Sequence, residues 1–430
     1  MNILKIIGED LNTFLGLSDP ISFADDNFYL LPGFGNSGVV ETEEGLIIFD
    51  IGLRQFGKKL FDRVRKISKN QIKYIIYSHG HFDHCFGYKH FISEIQHQKW
   101  DMPEIIAHKN LLNRFNKYKM LDEYHAWLNA QQFSSLIRDK SKVIKTETLD
   151  PTILIDDDDE YNFSLGGYTF EIFPEWGETD DAIWMYNPEQ KVIFSGDLMV
   201  SSFPNIGNPY KVQRYPKRWA LALERMLTKD AEYLLPGHGK LIVGKDKIQE
   251  VLSITAEALH FVHDEVVKRL NQGKWFEEIY HEMLEIYPEK FKNHKYLRPV
   301  YGCYEFAIHS VYRLYHGWYD SGNPTDLFPA RTSDISSEIL KIFGHDNEKR
   351  ILDHAIKLKN EGKLQLSLHI LDIIIEATEV DKKLLVDAYK IKRKILKGMV
   401  KEESSFIGQN ILNNEAHRIK KRINKLRKKS

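Results

Sequence analysis

The sequence predicts an α/β fold that is followed by an all-α region. Residues 27–244 alternate short runs of β-branched and aromatic residues with Gly, Pro and Asp turns and a few helical segments. Beyond Gly244, apolar residues recur at helical spacing and the β-type runs cease. With 430 residues, of which 42% are hydrophobic, the chain is long enough to form two cores. We therefore expect two domains with a boundary near Lys245.

The individual elements follow from local patterns. Runs rich in β-branched and aromatic residues predict strands at 28–31, 39–41, 46–49, 72–77, 191–195 and 233–235. Apolar residues spaced three and four apart predict helices at 60–67, 89–95, 251–270, 304–315, 351–358, 364–375 and 384–395. The helix pairs after residue 347 resemble antiparallel hairpins of the tetratricopeptide kind, although they have no clear repeat period.

Two segments of the first part leave alternatives open. Residues 109–140 form a polar and aromatic helical stretch that is longer than a simple connection. It is either a lid over an active-site edge or an outer packing helix. The acidic run at 156–160 is typical of a solvated turn between strands. A calcium site is the alternative there, but the run lacks the pattern of a calcium loop.

Charge and cysteine content narrow the class of protein. Lys and Arg number 60 and Asp and Glu number 61, so we expect no nucleic-acid partner for the whole chain. Eight cations within 418–429 could contact nucleic acid or an anionic membrane surface. Because aromatic residues are not interleaved with them, a solvated helix end is the favoured interpretation. Cys85 and Cys303 lie far apart and indicate a reducing compartment without a disulfide framework.

Hydropathy gives no sign of a membrane-spanning or targeting segment. The apolar run within residues 1–8 is short and has no small-residue cleavage site. No stretch approaches 18 consecutive apolar residues. We therefore expect a cytoplasmic protein that does not span a membrane.

One loop carries the strongest chemical signal. Residues 78–84 read Ser-His-Gly-His-Phe-Asp-His and follow the predicted strand at 72–77. The candidate metal ligands in this loop are His79, His81, Asp83 and His84. Imidazole and carboxylate groups suit zinc, and iron or manganese accept the same atoms. A surface turn that holds three histidines by chance is disfavoured by the tight spacing. Cys85 follows directly and could also ligate, but simple packing is the favoured role.

The spacing His-x-His-x-Asp-His resembles the signature of the metallo-β-lactamase superfamily. Two later landmarks of that superfamily follow in order: Gly196-Asp197, with Asp197 at the position of the bridging carboxylate, and Pro236-Gly-His-Gly239, with His238 as a late ligand. The resemblance implies an αββα sandwich whose metals lie at the open edge of two facing sheets. A third landmark differs, because the Gly-His-Thr of most members reads Gly177-Glu178-Thr179 here.

That difference resembles one branch of the superfamily, the zinc alkylsulfatases, which use Glu nineteen residues before the bridging carboxylate, as Glu178 stands to Asp197. The branch usually has Glu at the bridging position, and its Gly-Thr-Glu-Ala-Pro neighbourhood reads Trp-Gly-Glu-Thr-Asp-Asp at 176–181. The strings at 296–302 and 312–324 resemble the helical alkylsulfatase dimerisation domain. We therefore expect a catalytic domain at 1–244, a helical dimerisation domain at 245–415 and a basic tail at 416–430.

The resemblance also implies roles for individual residues. One metal would be held by His79, His81 and Glu178, and the other by Asp83, His84 and His238. Asp197 would bridge them, and two such cations lower the pKa of a shared water and polarise a substrate oxygen. Asp83 and Asp197 thus stand at the catalytic centre. The segment 205–219 is basic, and Arg214, followed by Tyr210, is the favoured contact for a substrate anion.

These features predict a dinuclear zinc hydrolase that acts on alkyl sulfate esters. The alternative is hydrolysis of another small ester, lactone or phosphodiester. A helical interaction scaffold with structural metals is a third interpretation, disfavoured by the complete ligand set. We also expect a homodimer formed through 245–329, with contacts from Tyr315, Trp318 and Tyr319.

Overall fold

The structure of the chain is a computed structural model that describes residues 19–133, 146–344 and 348–428. It divides into two compact units. The first comprises the described residues within 1–126 and 142–320, and the second comprises those within 127–141 and 321–430. The first unit contains both sheets and the candidate site, and the second is helical.

The first sheet has seven strands in sequence order. They are β1 (Ile21–Phe23), β2 (Phe28–Leu31), β3 (Ser37–Thr42), β4 (Gly45–Phe49), β5 (Ile72–Ile76), β6 (Glu104–His108) and β7 (Ile153–Ile155). The first four form an antiparallel meander, in which β2, β3 and β4 correspond to the predicted strands at 28–31, 39–41 and 46–49 and β1 was not predicted. From β4 to β7 the pairing is parallel, so the carboxyl ends of these strands meet at one edge, where active sites commonly lie.

The second sheet has six strands in the order β13-β12-β11-β10-β9-β8. They are β8 (Tyr161–Leu165), β9 (Tyr168–Glu175), β10 (Ala182–Asn187), β11 (Val192–Val200), β12 (Tyr233–His238) and β13 (Ile242–Val243). Only β11 and β12 pair in parallel, whereas the other neighbours in this sheet are antiparallel.

Fifteen α-helices occur in the described residues. In the first part they are α1 (Gly57–Ile67), α2 (Phe82–Cys85), α3 (Lys89–Gln98), α4 (Asn110–Met120), α5 (Asp122–Gln132) and α6 (Pro216–Leu227). After the sheets come α7 (Lys245–Leu270), α8 (Phe276–Ile286), α9 (Glu289–Lys292), α10 (Tyr304–Tyr315), α11 (Thr332–Phe343), α12 (Glu348–Asn360), α13 (Leu364–Glu376), α14 (Lys382–Glu402) and α15 (Phe406–Lys428).

The inner faces of the two sheets pack against each other. Phe194 of β11 lies with its ring centroid 5.5 Å from that of Phe49 and 6.2 Å from that of Phe28, both on the first sheet. On the outer side of the first sheet, buried residues of α1, α3 and α4 complete a second core. The αββα sandwich followed by helices is therefore confirmed.

Helices α6, α7, α8 and α10 cover the outer face of the second sheet. Trp184 of β10, Trp219 of α6, Leu259 of α7 and Tyr312 of α10 are all buried in one apolar cluster. The predicted boundary near Lys245 marks the change from strands to helices. The apolar core of the second sheet nevertheless continues across this boundary into the helices that follow. The helices up to α10 pack with the sheets, and the second unit has its own apolar cluster, drawn mainly from α12 to α15.

The structure describes most of the segment at 109–140 and all of the acidic run at 156–160, for which the sequence allowed two interpretations each. Helix α4 buries Leu111, Phe115 and Tyr118 against the first sheet, which favours the outer packing helix for this part of 109–140. The rest of that stretch beyond Phe133 lies outside the described residues. The run at 156–160 connects β7 to β8, where Asp156 pairs with Lys109 and Asp157 lies 3.0 Å from His108. Among the described residues, no helix is long and apolar enough to cross a membrane.

Candidate metal centre

The histidine-rich loop begins after β5 and runs into the short helix α2. His79 and His84 are buried there. Three other parts of the chain approach the loop: Glu178 comes from the connection between β9 and β10, Asp197 lies in β11, and His238 ends β12. The predicted ligands therefore come from both sheets and meet at one edge of the sandwich.

The donor side chains form two clusters, in each of which the ligand atoms lie within 4.8 Å of one another. One cluster comprises His79, His81, Glu178 and Asp197, and the other comprises Asp83, His84 and His238. In the first, Nε2 of His79 lies 2.8 Å from Nδ1 of His81. In the second, Nε2 of His238 lies 3.4 Å from Oδ2 of Asp83. All seven residues that the sequence singles out are thus brought together in this arrangement.

Asp197 faces both clusters with different oxygens. Its Oδ2 lies 3.7 Å from Nε2 of His79. Its Oδ1 lies 3.3 Å from Nε2 of His84 and 3.4 Å from Nε2 of His238. This is the placement that a carboxylate shared by two cations requires, because each oxygen is directed to a different set of ligands.

An irregularity in β11 aims Asp197 at the loop. The register of β11 against β12 shifts on both sides of Gly196, and bulges of this kind redirect side chains next to active sites. Gly196 has φ 52°, and a Cβ on it would lie 2.4 Å from Cβ of Ser78. Glycine is therefore required here, because the backbone of β11 approaches the histidine loop too closely for a side chain.

Asp50 orients His84 from behind. One of its oxygens accepts hydrogen bonds from the backbone N–H of Ser78 at 2.7 Å. The other lies 2.7 Å from both Oγ of Ser78 and Nδ1 of His84. With Nδ1 engaged, Nε2 of His84 is directed to the cluster, as in carboxylate–histidine–metal arrangements. Asp50 adopts φ 62°, a strained conformation for a non-glycine residue that its hydrogen bonds hold in place.

Two further residues hold the loops that carry the ligands. Asn36 donates from Nδ2 to the carbonyl oxygens of Pro236 and Gly239, at 2.9 Å each, and so fixes the loop around His238. Asp181 accepts from the N–H of Gly80 at 3.1 Å. Neither Asn36 nor Asp181 was predicted from the sequence as a residue of the site. Asn36 lies 200 residues from its partner, so no local pattern could have identified it.

The polar atoms of the site fit divalent cations. Nε2 of His84 and Oδ1 of Asp197 are buried without a hydrogen-bond partner among the described residues. Burial and the neighbouring His84 lower the pKa of His79 to about 4. Burial also favours neutral His84, but the carboxylates of Asp197, Asp50 and Asp83 together raise the pKa of His84 to about 10. The carboxylates thus draw positive charge to the place where two metal ions would lie.

Glu178 has polar partners of its own. Asn205 donates from Nδ2 to its Oε1 at 2.7 Å, and the buried Arg214 forms an ion pair with the same carboxylate. Burial raises the pKa of Glu178 to about 7, although Arg214 acts in the opposite direction. The Arg214 guanidinium, which the sequence assigns to the substrate, therefore contacts a candidate metal ligand in this structure.

Other cations and phenols lie near the same carboxylates. Burial and Arg214 lower the pKa of the half-buried Lys211 to about 8, although Glu178 and Asp83 raise it. Tyr210 is half-buried on the same segment, where its backbone N–H donates to the Asn208 side chain at 2.9 Å. The charges of Glu178 and Asp83 thus act on Lys211, a cation of the basic segment that the sequence does not single out.

The string at 296–302 lies close to the site as well. The N–H of Phe203, shortly after β11, donates to the carbonyl of Arg298 at 2.9 Å. Burial and the carboxylates of Glu178 and Asp83 raise the pKa of Tyr301 well above its usual value. Part of the string that resembles a dimerisation domain therefore packs within its own compact unit, beside the candidate ligands.

Cys85 is a packing residue in this structure. Its Sγ–H donates to the carbonyl oxygen of His79 at 2.9 Å, and burial raises the pKa of the thiol well above its usual value. It belongs to neither donor cluster. Cys85 and Cys303 are both buried, and neither forms a disulfide bond with a described residue.

Comparisons with known proteins agree with this geometry. Residues 30–238 match the model of the metallo-beta-lactamase superfamily, and residues 276–422 match the model for alkyl sulfatase dimerisation. A linear primary-alkylsulfatase from Pseudomonas is 28% identical over 322 residues, which cover 71% of this chain and 60% of that protein. An alkyl/aryl-sulfatase from Saccharomyces cerevisiae is 26% identical over 376 residues, which cover 82% of this chain and 57% of that protein. The chain thus spans about three fifths of the length of these relatives.

Solved structures support the same fold over nearly the whole chain. The stereoselective inverting sec-alkylsulfatase from Pseudomonas superposes with a TM-score of 0.80 at 19% identity. The match covers 94% of this chain and 65% of that protein. At this identity the likeness establishes the fold. The chain therefore joins a metallo-β-lactamase superfamily domain to an alkyl sulfatase dimerisation domain.

Proposed function

We propose that the protein is a dinuclear metal-dependent hydrolase that cleaves sulfuric esters of hydrophobic alcohols. The observation that carries the proposal is the pair of donor clusters joined by Asp197, whose two oxygens face different clusters. His79, His81 and Glu178 would hold one ion, and Asp83, His84 and His238 would hold the other. Zinc is the metal we propose, because imidazole and carboxylate donors suit it, and iron or manganese are the alternatives.

The residues around the clusters define how the site would work. Two bound cations would lower the pKa of a water molecule and polarise an ester oxygen. The protein orients His84 through Asp50 and holds Glu178 through Asn205 and Arg214. These contacts fix the donor atoms before a substrate arrives, so that less reorganisation accompanies the reaction.

The electrostatics of the site favour a monoanionic ester. Glu178 replaces the imidazole of most superfamily members, and the resulting extra negative charge weakens the attraction for a dianionic phosphate monoester. A sulfate monoester carries one negative charge. We assign Lys211 to contact that charge and Arg214 to position Glu178, because Arg214 already pairs with the Glu178 carboxylate. The names of the relatives, which are alkylsulfatases, support the same substrate class.

Hydrolysis of a substrate panel tests this proposal. Purified, metal-analysed protein is assayed with alkyl sulfates of graded chain length, and with phosphodiesters, lactones and carboxylic esters of matched alcohols. We expect sulfate release that rises with chain length. If another class of ester is hydrolysed and no sulfate is released, the proposed substrate is wrong, whereas the proposed metal-dependent hydrolysis stands. An unchanged rate after complete chelation of the metals would exclude a metal-dependent hydrolase altogether.

We further propose that the protein is a cytoplasmic homodimer. The match of 276–422 to the dimerisation model supports self-association. Trp318 is 63% exposed and Tyr315 is 56% exposed, and large aromatic side chains of this kind are enriched at interfaces. Tyr319 is half-buried, with its ring centroid 5.4 Å from that of Trp275. Cys85 and Cys303 form no disulfide bond with a described residue, which supports a reducing compartment.

A further inference from the structure

Helices α14 and α15, joined by residues 403–405, form a hairpin with an unusual charge. We call this pair of helices the basic hairpin. Within residues 382–428 it carries fifteen Lys and Arg and four Asp and Glu, a formal net charge of +11. The whole chain has a net charge of −1, so the other residues carry about −12 in formal charge. The chain is therefore strongly asymmetric in charge although it is neutral on average.

The cations of the basic hairpin are arranged in stripes. On α14 the exposed stripe consists of Lys383, Lys390, Lys394, Lys397 and Lys401, and on α15 it consists of Arg418, Lys421, Arg422, Lys425 and Lys428. Spacings of three, four and seven residues place each set on one side of its helix. The opposite sides bury apolar residues, such as Ile395 on α14 and Ile419 on α15. The apolar sides therefore build the core, and the cations point to solvent.

The open end of the hairpin brings together the cationic last turns of α15 and the first turns of α14. The connection is short, so the helices must run antiparallel, and the guanidinium of Arg422 lies 6.0 Å from the ring of Tyr389. This contact aligns the last turns of α15 with the first turns of α14. The Lys425 and Lys428 region of α15 is therefore level with the Lys383 region of α14, so that this end of the hairpin carries cations from both helices.

Few of these charges are neutralised within the chain. Lys390 pairs with Asp387 at 2.7 Å, and Lys392 pairs with Asp372. Arg418 and Arg422 share Glu415, at 3.4 and 3.5 Å. By contrast, Lys421, Lys425 and Lys428 have no ion-pair partner among the residues that the structure describes. A solvated surface that carries this many unpaired cations attracts polyanions strongly at low ionic strength.

We propose that the basic hairpin docks the protein onto an anionic lipid bilayer. Eight of the ten cations in the two stripes are Lys, which act as point charges and need no fixed partner geometry. An anionic leaflet is a continuous sheet of charge, to which each nearby Lys or Arg adds attraction. The stripes extend along two adjacent helices and so present a surface rather than a pocket. This docking is independent of the hydrolysis proposed above.

A lipid surface fits the hairpin better than a nucleic acid. Single-stranded nucleic acids are bound by aromatic side chains that stack on bases, but the aromatic residues of α14 and α15, Tyr389 and Phe406, are buried. Base readout and bidentate phosphate contacts use Arg forks, whereas eleven of the fifteen cations of the basic hairpin are Lys. The remaining feature is diffuse positive charge, which is the property that an anionic bilayer recognises.

Cosedimentation of the full chain with vesicles tests the proposal. The vesicles contain either phosphatidylcholine alone or equal parts of phosphatidylcholine and phosphatidylglycerol, at roughly 0.15 M salt. We expect binding only to the vesicles with phosphatidylglycerol, and release as salt rises. The combined variant Lys421→Glu, Lys425→Glu, Lys428→Glu should bind at least about tenfold more weakly. The corresponding triple change to Arg should bind as the unchanged protein does.

Exposed lysines elsewhere give a control with the same change in net charge. Lys66, Lys69 and Lys99 are exposed residues of the first unit, and Lys66→Glu, Lys69→Glu, Lys99→Glu should leave vesicle binding unchanged. The proposal is overturned if the unchanged protein ignores anionic vesicles, or if the control set weakens binding as much as the hairpin set. Duplex DNA that binds more tightly than the vesicles, with the same dependence on the hairpin lysines, would also overturn it and assign the surface to nucleic acid.

Discussion

At the scale of single residues, the proposed function depends on the carboxylate that both clusters share. Asp197 approaches His79 with one oxygen and His84 and His238 with the other. A residue in this position influences both ions at once, whereas each of the other six candidate ligands belongs to one cluster. The seven residues were predicted from spacing and resemblance, and their proximity agrees with that prediction. Their role as ligands stays a proposal until metal is measured.

We predict that Asp197→Ala reduces bound metal at both positions and abolishes hydrolysis. The change removes a donor oxygen from each cluster, and the two cations would then repel each other without a shared negative charge between them. Elemental analysis of the purified variant is the measurement. The control is Asp230→Ala, which removes an exposed carboxylate that pairs with Lys245. Full occupancy of two ions in Asp197→Ala would contradict its assignment as a bridge.

A second prediction concerns Asp50, which contacts His84 without belonging to a cluster. Asp50→Asn should weaken metal binding by about 10–100-fold, the range found when a group that orients a metal ligand is lost. The amide cannot accept at both of its terminal atoms, so the hydrogen bonds to Ser78 and His84 cannot both persist. Competition with a chelator of known affinity measures the effect. An unaltered metal affinity of Asp50→Asn would show that Asp50 does not orient a metal ligand.

At the scale of secondary structure elements, most strands and helices could be predicted from local patterns. The runs at 28–31, 46–49 and 72–77 correspond closely to β2, β4 and β5, because a buried strand needs an apolar run. The helical periodicity after residue 347 is likewise confirmed by α12 to α15. These predictions succeeded since a helix or strand records its own period in its sequence.

What the sequence could not reveal is the partner of each apolar face. The helices from Lys245 to Tyr315 are amphipathic, which indicates that one side is buried but not what covers it. In the structure this side packs against the second sheet, so these helices share a core with the strands. Asp50 and Asn36 were missed for the same reason, because their partners lie far along the chain.

The bulge of β11 gives a prediction at this scale. Gly196→Ala should lower the free energy of unfolding by about 1–2 kcal/mol, because alanine resists a positive φ, and the contact with Ser78 adds to that cost. The displaced Asp197 should also reduce metal content. Chemical denaturation and elemental analysis measure the two effects. Gly317→Ala is the matched control, since nothing lies within 4 Å of a Cβ there; equal behaviour of the two variants would count against a special role for Gly196.

At the scale of the whole molecule, the proposed homodimer predicts the mass of the protein in solution. Light scattering at micromolar concentration should give a mass near twice 50.4 kDa. Trp318→Lys should shift the protein toward the monomer, because a charged side chain would replace an exposed aromatic one at the proposed interface. Leu221→Lys changes a comparably exposed apolar residue, 50% exposed, on α6 and should leave the mass unaltered. A monomer with full activity would exclude the proposed homodimer.

The two family models and the two compact units do not divide the chain in the same way. The dimerisation model begins at residue 276, whereas the first unit extends to Asp320. Helices α8 and α10 therefore belong to the dimerisation model by sequence and to the core of the second sheet by packing. A substitution in these helices is expected to affect both stability of the first unit and self-association, which makes exposed residues such as Trp318 the better probes of the interface.

We infer that two metal ions, held by the seven clustered residues, produce the hydrolytic activity. Titration of the metal-free protein with zinc, followed in parallel by equilibrium dialysis and by sulfate release from a long-chain alkyl sulfate, tests it most directly. We predict no sulfate release without metal and a rise in rate that ends at about two ions per chain. Activity in the metal-free protein, or a titration that ends with one ion bound, would contradict it.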